Sequence, residues 1–261
     1  MEKPFIDDPR ISNVVFFPRK APIPNNLKSH VEPLTFKIHD NVRIGGYIYK
    51  KDKQLPNILF FHGNGEIALD YQYFYHLFFN IDVNLAVIDF RGYGHSTGEP
   101  SYSSLHADAF PVYQKFVEWM RKNEFNGSLF VEGRSLGSTC AAEIGAQNPG
   151  DLKGIIFESS FASAYNMMTR LFRINDPRIT PESLEPYSND TRMRRIQMPV
   201  LIIHGTLDWI IPKSEAELIF TSLPNTIEKK LILIEGAGHN DIFSHEKEYF
   251  QPLHEFIQKF K

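Results

Sequence analysis

From Pro56 onward, short continuous apolar runs alternate with longer stretches in which apolar and polar positions recur with helical spacing. The runs lack the polar alternation of a half-exposed strand, so we expect each strand to be buried on both faces. Strands of this kind pair in parallel and are joined by crossover helices. The pattern therefore predicts a mostly parallel sheet with strands at 57–61, 85–90, 128–132, 154–158, 200–204 and 231–235.

The stretches between these runs predict helices at 67–79, 101–122, 136–147, 213–222 and 241–260. The part before Pro56 is different in character. Residues 34–39 and 43–50 alternate around Asp40-Asn41, which predicts an antiparallel hairpin at the start of the sheet. The first 28 residues are rich in proline and turn formers and predict a wrapping arm, in which the apolar patch 14–17 would pair as an edge strand.

Residues 161–198, called the lid segment below, are too long for a simple crossover connection and contain three prolines and an apolar cluster. We predict a small helical lid inserted into one domain that spans residues 1–261. The fold class expected from these elements is α/β, with a mostly parallel central sheet.

Composition narrows the classes of partner and compartment. The formal net charge is -3, with 28 basic and 31 acidic residues and no basic block, so a nucleic-acid partner is not expected. The single cysteine, Cys140, allows no internal disulfide and is expected to be a buried packing residue. No signal peptide and no transmembrane segment are predicted, and we expect a cytoplasmic protein. The oligomeric state is not readable from the sequence.

The segment Gly133-Arg134-Ser135-Leu136-Gly137 lies where the run 128–132 meets the helical stretch 136–147. A serine on such a strand-to-helix turn is held in a strained conformation that exposes its hydroxyl. The flanking glycines let strand and helix pass closely, and small side chains open the helix. This pattern, a nucleophile elbow, predicts that Ser135 is a nucleophile; a plain surface turn is the alternative.

Ligands of open parallel sheets bind beyond the carboxyl ends of the strands, so residues after each run can converge. Ser135, Asp208 and His239 occur in that chain order in strand-end loops, which is the α/β-hydrolase arrangement. His239 would be the general base and Asp208 the acid that orients it. Glu158 is the rival acid, and Asp241 is expected to cap the last helix.

An acyl-transfer intermediate needs hydrogen-bond donors aimed at its negative oxygen. The backbone N–H of Leu136 is one candidate, and the N–H of Asn64 in the loop 62–65 is the other, with Gly65 close behind. The side chain of Asn64 is as readily explained as a turn former. Arg134 is expected to reach a structural carboxylate rather than a substrate.

The apolar cluster Met167, Met168, Leu171 and Phe172 is the predicted substrate contact, with lid packing as an equal alternative. The aromatic-dense stretch 71–79 is expected to pack on the sheet. His62, His95 and His204 stand at strand ends, but they lack the spacing of metal ligands, so no metal is predicted.

Together, His62-Gly63-Asn64-Gly65, the stretch from Asp89 to Ser96, the elbow, His204-Gly205 with Asp208, and Gly238 to Asp241 resemble the BEM46-like serine hydrolases. These belong to the α/β-hydrolase superfamily and are relatives of the ABHD13 and ABHD17 type proteins. The resemblance runs from about Leu34 to the C-terminus.

The expectation is a serine hydrolase that cleaves an ester or thioester of a small-molecule or acylated substrate and needs no cofactor. A metal-dependent hydrolase built on the strand-end histidines and a non-catalytic binding module remain as alternatives.

Overall fold

The computed structural model describes residues 4–261, so the first three residues of the predicted arm lie outside the described residues. Within this range, eight strands form one sheet in the order β1-β2-β4-β3-β5-β6-β7-β8. The strands are β1 Val31–His39, β2 Val42–Tyr49, β3 Asn57–Phe61, β4 Asn84–Ile88, β5 Leu129–Arg134, β6 Leu152–Glu158, β7 Val200–Gly205 and β8 Lys229–Ile234. β1 pairs with β2 and β2 with β4 in antiparallel fashion, and the remaining pairings are parallel.

The predicted fold class is thereby confirmed, including the antiparallel hairpin before the parallel strands. The α-helices are α1 Pro9–Val15, α2 Tyr75–Asn80, α3 Tyr102–Lys122, α4 Ser138–Ala146, α5 Ala164–Asn166, α6 Pro181–Leu184, α7 Asn189–Met193, α8 Lys213–Ser222 and α9 Glu246–Phe260. Shorter 3-10 turns lie at Phe5–Asp7, Ala68–Tyr73, Ser135–Gly137, Glu185–Tyr187 and Ile242–Ser244, and a π-helical turn at Met167–Leu171. In the described range, no helix is long and apolar enough to cross a membrane.

The core has two layers, one on each face of the sheet. Neighbouring residues of a buried strand point to opposite faces. In β3, Leu59 and Phe61 pack into the layer that holds α3 and α4, while Ile58 and Phe60 pack into the layer that holds α2 and α9. This is why the strands appear in the sequence as continuous apolar runs.

The prediction of an edge strand at 14–17 is wrong, because α1 extends to Val15. The Asp8 carboxylate accepts the N–H of Arg10, and Pro9 occupies the first helical position. Ile11 and Val15, one helical turn apart, are buried in the core. The N-terminal cap and the two apolar residues on one face therefore favour a helix here. Farther along the arm, Lys20 forms an isolated parallel β-bridge with Gly94, which lies in the loop after β4.

Two predicted helices start differently. The stretch 67–79 divides into a 3-10 turn and α2 because Phe74, at φ -121°, leaves the helical region. The last helix starts at Glu246 rather than at 241. Asp241 does not cap it, contrary to the prediction: its Oδ1 accepts the N–H of Gly238 at 2.6 Å and closes the loop that carries His239.

Candidate active site

Ser135 lies at the turn between β5 and α4, in the backbone conformation that the elbow pattern predicts. Its φ is +50°, a left-handed value that non-glycine residues rarely adopt. A side chain on Gly133 would meet the carbonyl oxygen of Gly137 at 2.7 Å, and one on Gly137 would meet that of Phe61 at 2.0 Å. Gly133 therefore lies so close to the start of α4, and Gly137 so close to the end of β3, that a side chain at either position would displace backbone. The Ser135 hydroxyl is held at the end of β5.

The structure brings Ser135, His239 and Asp208 together although 104 residues separate the first two. His239 Nε2 lies 3.1 Å from Ser135 Oγ, and His239 Nδ1 lies 2.7 Å from Asp208 Oδ2. An ionised carboxylate only accepts hydrogen bonds, so Nδ1 carries the proton and Nε2 can accept the serine proton. This arrangement makes the hydroxyl a candidate nucleophile.

Asp208 is held by the β7 loop, residues 206–212. Its Oδ1 accepts the N–H groups of Ile210 and Ile211 at 2.9 and 2.8 Å, which leaves Oδ2 for His239. Burial alone would raise the pKa of Asp208, but the hydrogen bond from His239 and the backbone N–H of Ile211 lower it below its usual value. The carboxylate is therefore ionised at neutral pH, as an acid that orients an imidazole must be.

Glu158, the rival acid, has a different partner. Its Oε1 accepts from Arg134 Nη1 at 2.5 Å, and burial raises its pKa. His239 is bonded to Asp208 instead. Glu158 therefore pairs with Arg134 and is not the hydrogen-bond partner of the imidazole.

The β3 loop, residues 62–66, lies against the elbow, since Gly137 approaches the carbonyl oxygens of Phe61 and His62. Within residues 4–261, the backbone N–H of Asn64 has no acceptor, whereas the N–H of Gly63 donates to Glu66 at 3.0 Å. The N–H of Asn64 is thus left available, as the oxyanion-hole prediction requires. The N–H of Leu136, the other predicted donor, follows the nucleophile at the start of the elbow turn.

The side chain of Asn64 has a task that sequence reasoning missed. Its Oδ1 accepts the N–H of Phe17 at 3.1 Å and the hydroxyl of Tyr93 at 2.6 Å, and its Nδ2 donates to Val15 at 2.6 Å. Asn64 therefore ties the N-terminal arm to the β3 loop. No motif in the sequence links these two segments, which lie 47 residues apart between Phe17 and Asn64.

Arg134 connects three loops of the site. Its Nε donates to Glu66 at 2.7 Å, its Nη1 to Glu158 at 2.5 Å, and its Nη2 to the carbonyl of His239 at 3.0 Å. Burial alone would raise the pKa of Glu66, but the adjacent guanidinium lowers it to about 2. The expectation that Arg134 reaches a structural carboxylate is confirmed, and the missed partner is Glu66. The position of Glu66 directly after the glycines of the β3 loop is the signal that could have identified it.

The predicted substrate-contact cluster is only partly at a cavity. Met167 and Leu171 line a cavity of about 370 Å³ that Asp208 also lines. Met168 is fully buried in the core, so the prediction of substrate contact is wrong for it, whereas Phe172 packs partly buried against the core, as the lid-packing alternative expects. Met167 and Leu171, four residues apart on the π-helical turn Met167–Leu171, line the cavity, whereas Met168 packs into the core.

A second cavity, of about 450 Å³, borders Arg134 and Asn240. Tyr71, Phe74 and Leu77 line it from the aromatic-dense stretch. Tyr71 also packs against Phe60 of the sheet, with ring centroids 4.8 Å apart. The stretch therefore combines the expected sheet packing with one wall of a cavity.

The strand-end histidines bond to three separate backbone carbonyls. His62 Nδ1 contacts Gly63, His95 Nε2 contacts Leu34 and His204 Nε2 contacts Ile211, at 2.8 to 2.9 Å. In the part of the chain that the structure describes, no three histidine, cysteine or acidic side chains are grouped to hold a metal ion.

Comparison with known proteins places this geometry in context. A hydrolase family model described as serine aminopeptidase, S33, matches residues 52–180. Protein bem46 of Schizosaccharomyces pombe is 26% identical over 244 residues, which cover 91% of this chain and 80% of that protein. The protein aho-3 of Caenorhabditis elegans, an alpha/beta hydrolase domain-containing protein, is 28% identical over 78% of this chain and 59% of its own length. Human alpha/beta hydrolase domain-containing protein 17B is 26% identical over 77% of this chain and 66% of its own length.

Solved structures share the fold. The Pyrococcus furiosus esterase Pf2001 superposes with a TM-score of 0.71 at 16% identity, covering 93% of this chain and 99% of that structure. Est1E from Butyrivibrio proteoclasticus has a TM-score of 0.68 at 16% identity, covering 87% and 99%. At these identities the superposition shows a common fold, and function must be argued from the site itself.

Proposed function

The chain is an α/β-hydrolase of the BEM46-like group, and from this premise we propose that it is a serine hydrolase that cleaves a carboxylic ester or thioester. The observation that carries the proposal is the hydrogen-bonded series Ser135 Oγ, His239 imidazole and Asp208 carboxylate, at 3.1 and 2.7 Å. The substrate we expect is a small or acylated molecule, and no cofactor takes part in the steps below.

In the first step, Ser135 Oγ attacks the carbonyl carbon while His239 Nε2 takes the hydroxyl proton. The negative oxygen of the tetrahedral intermediate accepts hydrogen bonds from the backbone N–H groups of Leu136 and Asn64. The intermediate then collapses: the bond to the leaving group breaks, and the imidazolium returns its proton to the departing oxygen or sulfur. The product of this half-reaction is an acyl-enzyme.

In the second step, water replaces the leaving group in the same site. His239 takes a proton from the water as its oxygen attacks the acyl carbon, and then protonates Ser135 Oγ as the acid is released. Asp208 keeps the imidazole in one tautomer and stabilises its positive form throughout. Arg134 acts indirectly, since its bonds to Glu66 and to the carbonyl of His239 hold two of the participating loops in place.

The test is covalent labelling combined with turnover. We expect a fluorophosphonate probe to label Ser135, identified by mass spectrometry of the modified peptide. Ser135→Ala should abolish labelling and lower kcat for p-nitrophenyl acetate or butyrate by on the order of 10^5 to 10^6. The kcat values for an oxygen ester and a thioester of the same acyl group would then show which of the two bonds is cleaved faster.

Ser214→Ala is the matched control, because Ser214 is exposed on α8. It should retain both labelling and turnover. A Ser135→Ala variant with near wild-type activity would refute the proposed nucleophile. Loss of wild-type activity on chelation, restored by added metal, would instead favour a metal-dependent hydrolase.

A further inference from the structure

The cavity of about 370 Å³ between the lid segment and the β7 loop has a mainly apolar lining. Its apolar residues are Phe161, Met167, Leu171, Trp209, Ile210, Ile211 and Pro212. Asp208 borders the cavity, although its carboxylate is buried and bonds His239, so the cavity lies beside the loop that orients the imidazole. The volume is within the range of cavities that bind small organic ligands.

The mouth of the cavity exposes large apolar side chains. Trp209 is 89% exposed, and Ile210 and Leu171 are 41% and 37% exposed. Trp209, which follows directly after Asp208, therefore buries little of its side chain in the folded protein. Clustered exposed apolar groups of this kind mark binding surfaces, and an indole offers a large rigid contact area.

Two arginines give the same mouth a positive charge. Arg170 and Arg173 line the cavity, are exposed, and form no ion pair within residues 4–261. Three other arginines of the lid segment are paired, Arg178 with Asp176, Arg192 with Glu143 and Arg194 with Asp190, and Arg195 does not line the cavity. Arg173 also has a left-handed backbone, with φ +51°, a strained conformation that often accompanies a functional position.

The two carboxylates of the cavity do not offset this charge at the mouth. Glu215 is buried, and its oxygens accept the N–H groups of Ala162 and Ser163 and the side-chain amide of Asn166, at 2.7 to 3.1 Å. Asp208 is likewise buried and bonded on both oxygens. The two carboxylates are therefore buried and bonded to protein donors, while Arg170 and Arg173 are exposed and have no ion-pair partner in the part of the chain that the structure describes.

We propose that this cavity binds an amphiphilic anion, in which an apolar chain lies along Trp209, Ile210 and Leu171 and a phosphate or carboxylate lies between Arg170 and Arg173. Bidentate bonding to such oxyanions is what a guanidinium provides. This inference rests on the proposed function, because it names the substrate class of the proposed hydrolase. That substrate is an acyl compound with an apolar chain and an anionic group remote from the reacting carbonyl.

Binding can be measured without turnover, because Trp209 is one of only two tryptophans in the chain. In the Ser135→Ala protein, tryptophan fluorescence is followed during titration with n-octyl phosphate below its critical micelle concentration. Octanol, which lacks the anion, and inorganic phosphate, which lacks the chain, are titrated in parallel. We expect octyl phosphate to bind about tenfold or more tightly than either.

The double variant Arg170→Gln/Arg173→Gln should weaken octyl phosphate binding about tenfold and leave octanol binding unchanged. Arg194→Gln is the matched control, an exposed arginine of the lid segment that does not line the cavity. Trp209→Phe should remove the fluorescence response, while calorimetry still detects binding.

With the wild-type protein, octyl phosphate should inhibit hydrolysis of p-nitrophenyl butyrate competitively, and the double arginine variant should raise the inhibition constant about tenfold. Equal affinity for octyl phosphate and octanol, an unaltered affinity in the double variant, or noncompetitive inhibition would each overturn the inference. These outcomes are separate from failure of the proposed function, which would appear as an unlabelled Ser135 whatever the cavity binds.

Discussion

The Gly137→Ala substitution probes whether the elbow depends on close backbone approach. Gly137 has φ -62° and ψ -17°, an ordinary helical conformation, so alanine would cost nothing in backbone strain and would favour the helix by about 1 kcal/mol. Its methyl group, however, would lie 2.0 Å from the carbonyl oxygen of Phe61 and 2.8 Å from that of His62. Ordinary contacts lie at 3.4 Å or more, so α4 and the end of β3 must separate by about 1.4 Å.

The expected cost of this overpacking is about 1 to 3 kcal/mol, which corresponds to a fall in Tm of roughly 2 to 10 °C. The displaced backbone leads directly into the β3 loop, and a misplacement of about 1 Å in a catalytic site can lower the rate about 100-fold. We therefore expect kcat for p-nitrophenyl butyrate to fall about 100-fold when measured well below the Tm, so that unfolding does not contribute.

Gly150→Ala is the matched control, because no atom lies within 4 Å of the position its methyl group would take. Its Tm should change by no more than about 1 °C, and its kcat should not change. If Gly137→Ala kept kcat within twofold of wild type and the same Tm as the control, the close packing of elbow and β3 loop would be refuted.

Three further outcomes follow from the buried polar groups. Asp208→Asn should lower kcat about 10^4-fold in the labelling and turnover assay, because an amide can donate to His239 and favour the wrong tautomer; a loss below tenfold would contradict its role. Arg134→Met should lower the free energy of unfolding in urea by about 3 to 5 kcal/mol, since it leaves the buried Glu158 carboxylate and the partly buried Glu66 carboxylate without their guanidinium partner, and a loss below 1 kcal/mol would contradict the ion cluster. Burial raises the pKa of Glu132, which Tyr249 contacts, to about 8, so folding takes up a proton between pH 4.5 and 8 and stability falls as pH rises through that window. Glu132→Gln should remove this fall in stability. Its free energy of unfolding in urea, taken relative to wild type, should be about 3 kcal/mol higher at pH 7 than at pH 4.5. The same difference between the two proteins at both pH values would contradict the prediction.

Some of the architecture was predictable because it depends on local sequence. Strands buried on both faces appear as continuous apolar runs, and Gly133 is required by contacts within the elbow turn itself. The ends of neighbouring parallel strands lie at one edge, so the loops carrying Asp208 and His239 could be expected to meet near Ser135.

The helix α1 is encoded locally by the Asp8 cap, Pro9 and the spacing of Ile11 and Val15, and only the core contacts of these two apolar side chains depend on segments far along the sequence. Other features escaped because distant parts of the chain decide them. Met168 and Leu171 have equally apolar neighbours, yet one is buried and the other lines a cavity. Asn64 holds the N-terminal arm through contacts that no local pattern encodes.

The sequence by itself determined the order of strands and helices, the elbow at Ser135 and the loops from which its partners come, because periodicity and turn chemistry act over a few residues. Only the tertiary structure decided that Asp208 rather than Glu158 bonds His239, that Arg134 joins Glu66 to the histidine loop, and that two arginines with no ion pair among residues 4–261 line a mainly apolar cavity. These outcomes depend on which buried charges and donors meet across the sheet, and that is set by packing between segments far apart in the chain.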